Sequence, residues 1–86
     1  MYNPKKMQEF IDEAFVEMFR RVGQTYDFEL LKEQEWFRKH QWDTKTQDEF
    51  KTWLIALLRK KFKMRKTQAE REAVWFILNY GWVVRD

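Results

Sequence analysis

Six of the eight residues in the stretch RKKFKMRK, residues 59–66, carry a positive charge. Such a cluster can bind a polyanion, because Lys and Arg neutralise phosphate groups and release their counterions. A basic cluster is also common at the end of a helix, where cations are stabilised by the negative end of the helix dipole. The stretch by itself therefore leaves two interpretations open, a phosphate-binding face and a solvated helix end.

The charge distribution along the chain supports a phosphate-binding face and leaves the solvated helix end open as the alternative. The dipole effect reaches only the last helical turn, and like charges four residues apart repel by about 0.2–0.5 kcal/mol per pair. Residues 1–50 contain eight basic and eleven acidic residues, whereas residues 51–86 contain nine basic and three acidic ones. The C-terminal part is thus electropositive, which is typical of a surface that contacts DNA or RNA. The residues predicted to contact phosphates, without reading base sequence, are Arg59, Lys60, Lys63, Arg65 and Lys66.

A second candidate surface lies in residues 68–80, where apolar residues fall on two sides of a helix. Val74, Trp75 and Leu78 lie away from the face that carries Ala73 and Phe76. Such a helix is either central to a bundle or offers its second side to a partner. The alternative function is therefore a protein-interaction or regulatory accessory module, with a homodimer as one form of it and with Val74, Trp75 and Leu78 at the interface.

Aromatic and basic residues alternate in EWFRKHQW, residues 35–42. Trp36 and Trp42 could therefore stack on unpaired bases. The chain contains five Trp, eight Phe and three Tyr. In so aromatic a chain, both residues could equally be part of the core.

Residue types argue against catalysis. The chain contains neither Ser nor Cys, its only histidine is His40, and it has no glycine-rich phosphate loop. The usual nucleophiles, a metal site and a nucleotide loop are thus missing. We predict a protein that is not an enzyme, uses no metal or cofactor and has no evident small-molecule substrate. We recognise no family motif in the chain.

The length of 86 residues predicts a single domain, residues 1–86. The longest apolar runs are far shorter than the roughly 20 residues that a membrane span needs, and the first residues do not have the pattern of a signal peptide. We expect a soluble, cytoplasmic protein with no membrane partner.

Apolar spacing predicts an all-α bundle of about four short helices, over residues 4–22, 28–39, 47–62 and 68–80, followed by a short extended tail. Pro4 suits the first turn of helix 1, and Gly23 suits a left-handed residue just beyond its end. Capping boxes are predicted at the start of two helices, from Thr46 with Glu49 at helix 3 and from Thr67 with Glu70 at helix 4.

Two residues complete the predicted framework. Gly81 is expected to end helix 4 in a left-handed conformation, with Trp82 folded back on Ile77. Lys61 would point toward the core of a continuing helix, so either helix 3 ends near Lys60 or the Lys61 side chain turns outward. The predicted core is Phe10, Phe15, Phe19, Leu54, Leu58, Phe76 and Ile77.

Overall fold

Three α-helices make up most of the structure in a computed structural model, which describes residues 4–23, 41–81 and 83–84. They are α1 (Pro4–Arg20), α2 (Thr44–Phe62) and α3 (Lys66–Tyr80). Two short parallel strands, β1 (Gln41–Trp42) and β2 (Val83–Val84), pair with each other. The all-α class is confirmed, and the helix predicted over residues 28–39 lies outside the described residues.

Helix α1 forms where the apolar period predicted it. Its buried face includes Phe10, Phe15 and Phe19, and Pro4 is its first residue. The helix ends at Arg20, two residues before the predicted end, in a turn where the Gly23 amide donates to the Arg20 carbonyl at 3.0 Å. Gly23 has a φ of +75°, which confirms the predicted left-handed conformation.

Helix α2 begins three residues earlier than predicted. The side chain of Asp43 accepts a hydrogen bond from the Thr46 amide at 2.7 Å, so Asp43 is the N-cap. Hydrogen bonds from the Thr46 side chain and from its amide, together with the attraction of Lys45, lower the pKa of Asp43. The capping box with Thr46 as the N-cap and Glu49 as its partner was therefore wrong, because Thr46 already lies inside the helix.

Helix α3 ends at Tyr80 as predicted, but its start and the conformation of Gly81 differ from the prediction. The helix begins at Lys66, and the residue before it, Arg65, makes no capping hydrogen bond with its side chain. The predicted capping box of Thr67 and Glu70 was therefore wrong. At the other end Gly81 is extended rather than left-handed, with φ −74° and ψ 159°, and its amide donates to the Ile77 carbonyl. Trp82 lies outside the described residues.

The core is organised around the ring of Phe76. Its centroid lies 5.9 Å from that of Phe10, 5.5 Å from that of Phe15 and 6.2 Å from that of Phe50. These contacts join α3 to both α1 and α2 through tilted or edge-to-face pairs, the geometry that aromatic rings prefer. Six of the seven predicted core residues are buried, and Ile77 is partly buried against them.

Ion pairs fix the relative direction of α1 and α2. Lys61 at the end of α2 contacts Glu9, in the first half of α1, and Glu13, near its middle. Arg21, just after α1, lies 3.7 Å from Glu49 near the start of α2. The two helices are therefore antiparallel.

Glu17 is the buried acidic residue of α1. It accepts two hydrogen bonds from Arg20, at 2.8 and 2.7 Å. The Nε atom of Arg21 lies 2.8 Å from the same carboxylate, although its N–H is not aligned for a hydrogen bond. The hydrogen bonds from Arg20, together with the attraction of both arginines, lower the pKa of Glu17 despite the opposing effect of burial.

The parallel strand pair closes the structure beside the start of α2. Gln41 pairs with Val83, and Trp42 pairs with Val84. The predicted extended tail is thus present at Val83–Val84. None of the helices in the described part of the chain has the length and apolar character needed to cross a membrane.

We predict that Phe15→Ala lowers the free energy of unfolding by about 3–5 kcal/mol, because it leaves a cavity beside Phe76. The adjacent Val16 is about half exposed and provides the control. Val16→Ala should be neutral or slightly stabilising, since Ala is the better helix former. Urea denaturation measures both variants, and equal losses of stability would contradict the assignment of the core.

We also predict an effect of Glu17 on acid stability. Because its pKa is lower in the folded than in the unfolded protein, Glu17 stabilises the fold above its unfolded pKa, and this contribution is lost as the pH falls through the folded pKa. Glu17→Gln should therefore flatten the loss of thermal stability between about pH 5 and pH 3. Arg20→Gln, which removes the hydrogen-bond donor, should have the same effect. If both variants lost thermal stability with falling pH as steeply as the wild type, the interaction would be contradicted.

Candidate functional site

The stretch RKKFKMRK forms the end of α2, a three-residue turn and the first residue of α3. Helix α2 ends at Phe62, and α3 begins at Lys66. The turn residues are Lys63, Met64 and Arg65. The basic stretch therefore covers the corner of a helical hairpin rather than one face of a continuous helix.

Two apolar side chains anchor this corner to the core. The Phe62 ring packs edge-on against Phe10 of α1, with centroids 6.1 Å apart. Met64, in the middle of the turn, is only 6% exposed. Because both anchors point inward, the polar residues between and beside them are held at the surface.

Five cations surround these anchors, and all five are exposed. We call this set the basic face; its members are Arg59, Lys60, Lys63, Arg65 and Lys66. They are the five residues predicted from the sequence to contact phosphates. The structure brings them together at one end of the α2–α3 hairpin.

Lys61 is the exception within the stretch, as its position in the helical period indicated. Helix α2 continues past it to Phe62, so the expected end near Lys60 was wrong, and the Lys61 side chain, 19% exposed, lies against α1 rather than turning outward. Its Nζ atom lies 3.3 Å from a Glu13 oxygen and 3.7 Å from a Glu9 oxygen. Lys61 therefore joins α2 to α1, and its charge is compensated within the protein.

Two further cations share this end of the molecule. Since α1 and α2 are antiparallel and Glu9 lies beside Lys61, Lys5 and Lys6 are one turn closer to the N-terminal end of α1, at the same end of the bundle as the basic face. Both are exposed. Sequence reasoning missed them, because the pairing of Lys61 with Glu9 was needed to locate them.

Lys63 occupies an unusual backbone conformation. It is the C-cap of α2 with a φ of +55° and is the one residue other than glycine with a positive φ in the described part of the chain. A left-handed conformation is costly for most side chains, and glycine is the usual residue at the end of a helix. A lysine here places a charge at the tip of the turn at some cost to stability.

The ends of both helices add to the electrostatics of the corner. Arg59, Lys60 and Lys61 lie in the last turn of α2, where cations interact favourably with the helix dipole. The first turn of α3 contains no acidic residue, so no carboxylate there offsets the positive end of its dipole. The nearest acidic side chain of α3 is Glu70, a full turn into the helix.

One of the two predicted stacking residues, Trp42, is not available to stack on a base. Trp42 is buried, its indole N–H donates to the Gln47 side chain at 3.2 Å, and its ring packs against Phe50. A buried ring cannot stack on a base without leaving the core. Trp36 lies outside the described residues.

The second candidate surface is exposed. The exposed fractions of Val74, Trp75 and Leu78 are 38%, 53% and 80%. We call these three residues the apolar face of α3. The alternative of a fully surrounded central helix was therefore wrong, since α3 buries Ala69, Ala73 and Phe76 on one side and exposes apolar residues on the other.

No group of three or more His, Cys, Asp or Glu residues could hold a metal ion in residues 4–23, 41–81 and 83–84. His40 lies outside these ranges.

No protein-family model matches the chain, and no curated protein or solved structure is significantly similar to it.

We predict that Lys63→Gly stabilises the protein by about 0.5–1 kcal/mol, because glycine adopts the left-handed C-cap conformation without steric cost. Lys60→Gly provides the control, since Lys60 lies inside the helix, where glycine should cost about 1 kcal/mol. Thermal denaturation measures both variants. A loss of stability in Lys63→Gly would contradict this account of the turn.

Proposed function

We propose that the protein is a non-enzymatic binding module that contacts the phosphate backbone of nucleic acid through the basic face. The observation that carries this proposal is the exposure of five cations around a corner whose two apolar anchors, Phe62 and Met64, pack against the core. Phosphate contacts need positive charge held at suitable spacing, without base-specific hydrogen bonds. The nucleic acid would therefore be bound with little dependence on its sequence.

The charge of the basic face is not neutralised within the described structure. The ion pairs of the described residues involve Lys61, Arg20 and Arg21, and none includes a member of the basic face. A cation with no internal partner exchanges only water and counterions for phosphate when it binds. Binding should accordingly be driven by counterion release and should weaken steeply with salt.

Helix α3 is unsuited to reading bases. A recognition helix exposes polar residues along the side that enters the major groove. The exposed middle of α3 is apolar, and Glu70 and Glu72 would lie close to the phosphates on either side of a groove. This supports contacts with the nucleic-acid backbone from the corner, rather than insertion of α3 into a groove.

We predict that binding to a labelled mixed-sequence duplex shows a logarithmic salt dependence with a slope near −3.6, for about four neutralised phosphates. Affinity should then fall about a hundredfold between 50 and 200 mM salt. Reversing Lys63 and Lys66 to Glu should halve the slope or flatten it further, equally for all sequences, because two phosphate contacts are lost. Fluorescence anisotropy with double- and single-stranded oligonucleotides measures both effects.

The matched control is Lys45→Glu compared with Lys63→Glu. Both residues are exposed cations of the α2 region, but Lys45 lies in the first turn, at the opposite end of the helix from the basic face. Lys45→Glu should leave the slope unchanged, whereas Lys63→Glu should reduce it by about one unit. Equal changes of the salt slope in the two variants would indicate a response to net charge alone. The absence of binding at low salt would contradict the proposal.

A second candidate function is a protein-interaction module that uses the apolar face of α3. It is favoured by the exposure of Leu78 and Trp75 on one side of a helix that already has a complete core contact on the other. Water contact with these side chains costs free energy that a partner would recover. Trp is also among the residues that contribute most to binding at protein interfaces.

A further inference from the structure

An apolar pocket opens beside the apolar face of α3. It has a volume of about 510 Å³ and lies between α1 and α3. The pocket lies above the buried rings of Phe10 and Phe76. Its walls are formed by Met7 and Ile11 of α1 and by Arg71, Glu72 and Trp75 of α3. Its size and apolar lining are those of pockets that hold apolar groups in other proteins.

The pocket and the apolar face form one surface, because Trp75 belongs to both. One side of α3 carries a continuous stripe of residues that are spaced three, one and three positions apart: Arg71, Val74, Trp75 and Leu78. The stripe therefore carries an apolar knob, Leu78, one turn from an apolar hole, the pocket beside Arg71 and Trp75. A surface with both parts can be complementary to itself across a two-fold axis.

We propose that a second copy of the chain covers this surface, with the two α3 helices antiparallel and Leu78 of each copy inserted into the pocket of the other. The proposal rests on the second candidate function, the interaction module, and is independent of phosphate binding. A two-fold axis between Val74 and Trp75 places Leu78 opposite Arg71 of the second copy. Leu78 thereby reaches the pocket that Arg71 and Trp75 line.

Charge complementarity favours this occupant. Helix α3 has no basic residue in its last turn, so nothing on the helix itself compensates the negative end of its dipole. The antiparallel pairing brings Arg71 of the second copy to that end, where a cation is stabilising. None of the ion pairs between described residues involves Arg71, so its charge is available for this contact.

The basic face decides between antiparallel and parallel pairing. Lys66 begins α3, so two parallel helices would place two clusters of five cations about 8–10 Å apart, which is close to the Debye length, so their repulsion would be only partly screened. The antiparallel pairing separates the starts of the two helices by about 25 Å at 1.5 Å per residue, well beyond the Debye length in physiological salt. The basic faces then lie at opposite ends of the dimer.

The first test is the mass in solution without nucleic acid, by sedimentation equilibrium at protein concentrations up to about 200 μM, where even weak association of micromolar affinity is visible. The wild type should approach twice the 10.9 kDa mass of one chain. Leu78→Lys should raise the dimer dissociation constant about thirtyfold or more, the effect of losing an interface anchor. The double variant Leu78→Lys, Arg71→Glu should recover much of the affinity, since the new opposite charges face each other across the interface.

Two controls separate this outcome from loss of folding or of phosphate binding. Val16→Lys changes an exposed apolar residue of α1 outside the surface and should leave the dimer intact. The double variant Lys63→Glu, Lys66→Glu should also leave the dimer intact, even if it no longer binds nucleic acid. Far-ultraviolet circular dichroism should show wild-type helix content for Leu78→Lys, because Leu78 makes little contact within one chain.

Cross-linking tests the direction of the helices in a chain that contains no cysteine. Val74→Cys lies next to the proposed axis and should form a disulfide-linked dimer under mild oxidation. Leu78→Cys should not, because its two copies are about 10 Å apart along the antiparallel helices, too far for a disulfide. A monomeric wild type, an intact Leu78→Lys dimer, or efficient cross-linking through Leu78→Cys would each overturn the proposal.

Discussion

The position of one aromatic ring, Phe76, determines how the described helices are held together. It is the residue of α3 that contacts rings of both α1 and α2, through Phe10, Phe15 and Phe50. A chain of this size has a small core, so a few large rings supply much of its buried apolar area. The orientation of α3 about its own axis follows from this contact, and with it the exposure of Val74, Trp75 and Leu78 on the opposite side.

The same core fixes the corner between α2 and α3. Phe62 and Met64 are held by contacts with buried residues, so the five cations of the basic face are presented by a turn that is attached to the core at both ends. Pre-organised charge loses less conformational entropy on binding than charge on a free tail. The left-handed Lys63 lies between the two anchors, where the short turn constrains the backbone most strongly.

The apolar period was sufficient to predict three helices, most of their buried residues and the grouping of the basic residues. Helix starts were less predictable, because Asp43 and Thr46 are both good N-cap residues and only the extended backbone at Gln41–Trp42 favours the earlier one. At α3 the buried Met64 limits the turn to three residues, and the helix begins without a side-chain cap. The partners of Lys61 depend on the register of α1 against α2, which no local pattern in the sequence records.

The pairing of Gln41–Trp42 with Val83–Val84 also affects the order in which the chain can assemble. It joins the two ends of the segment that contains α2 and α3, and these helices are themselves linked by a three-residue turn. Contacts between α2 and α3 close a short loop and form early, and the resulting hairpin brings the two strands together, whereas α1 is joined to α2 by a longer connection. We therefore expect α2, α3 and the strand pair to behave as one cooperative unit in native-state hydrogen exchange, onto which α1 docks in a later step.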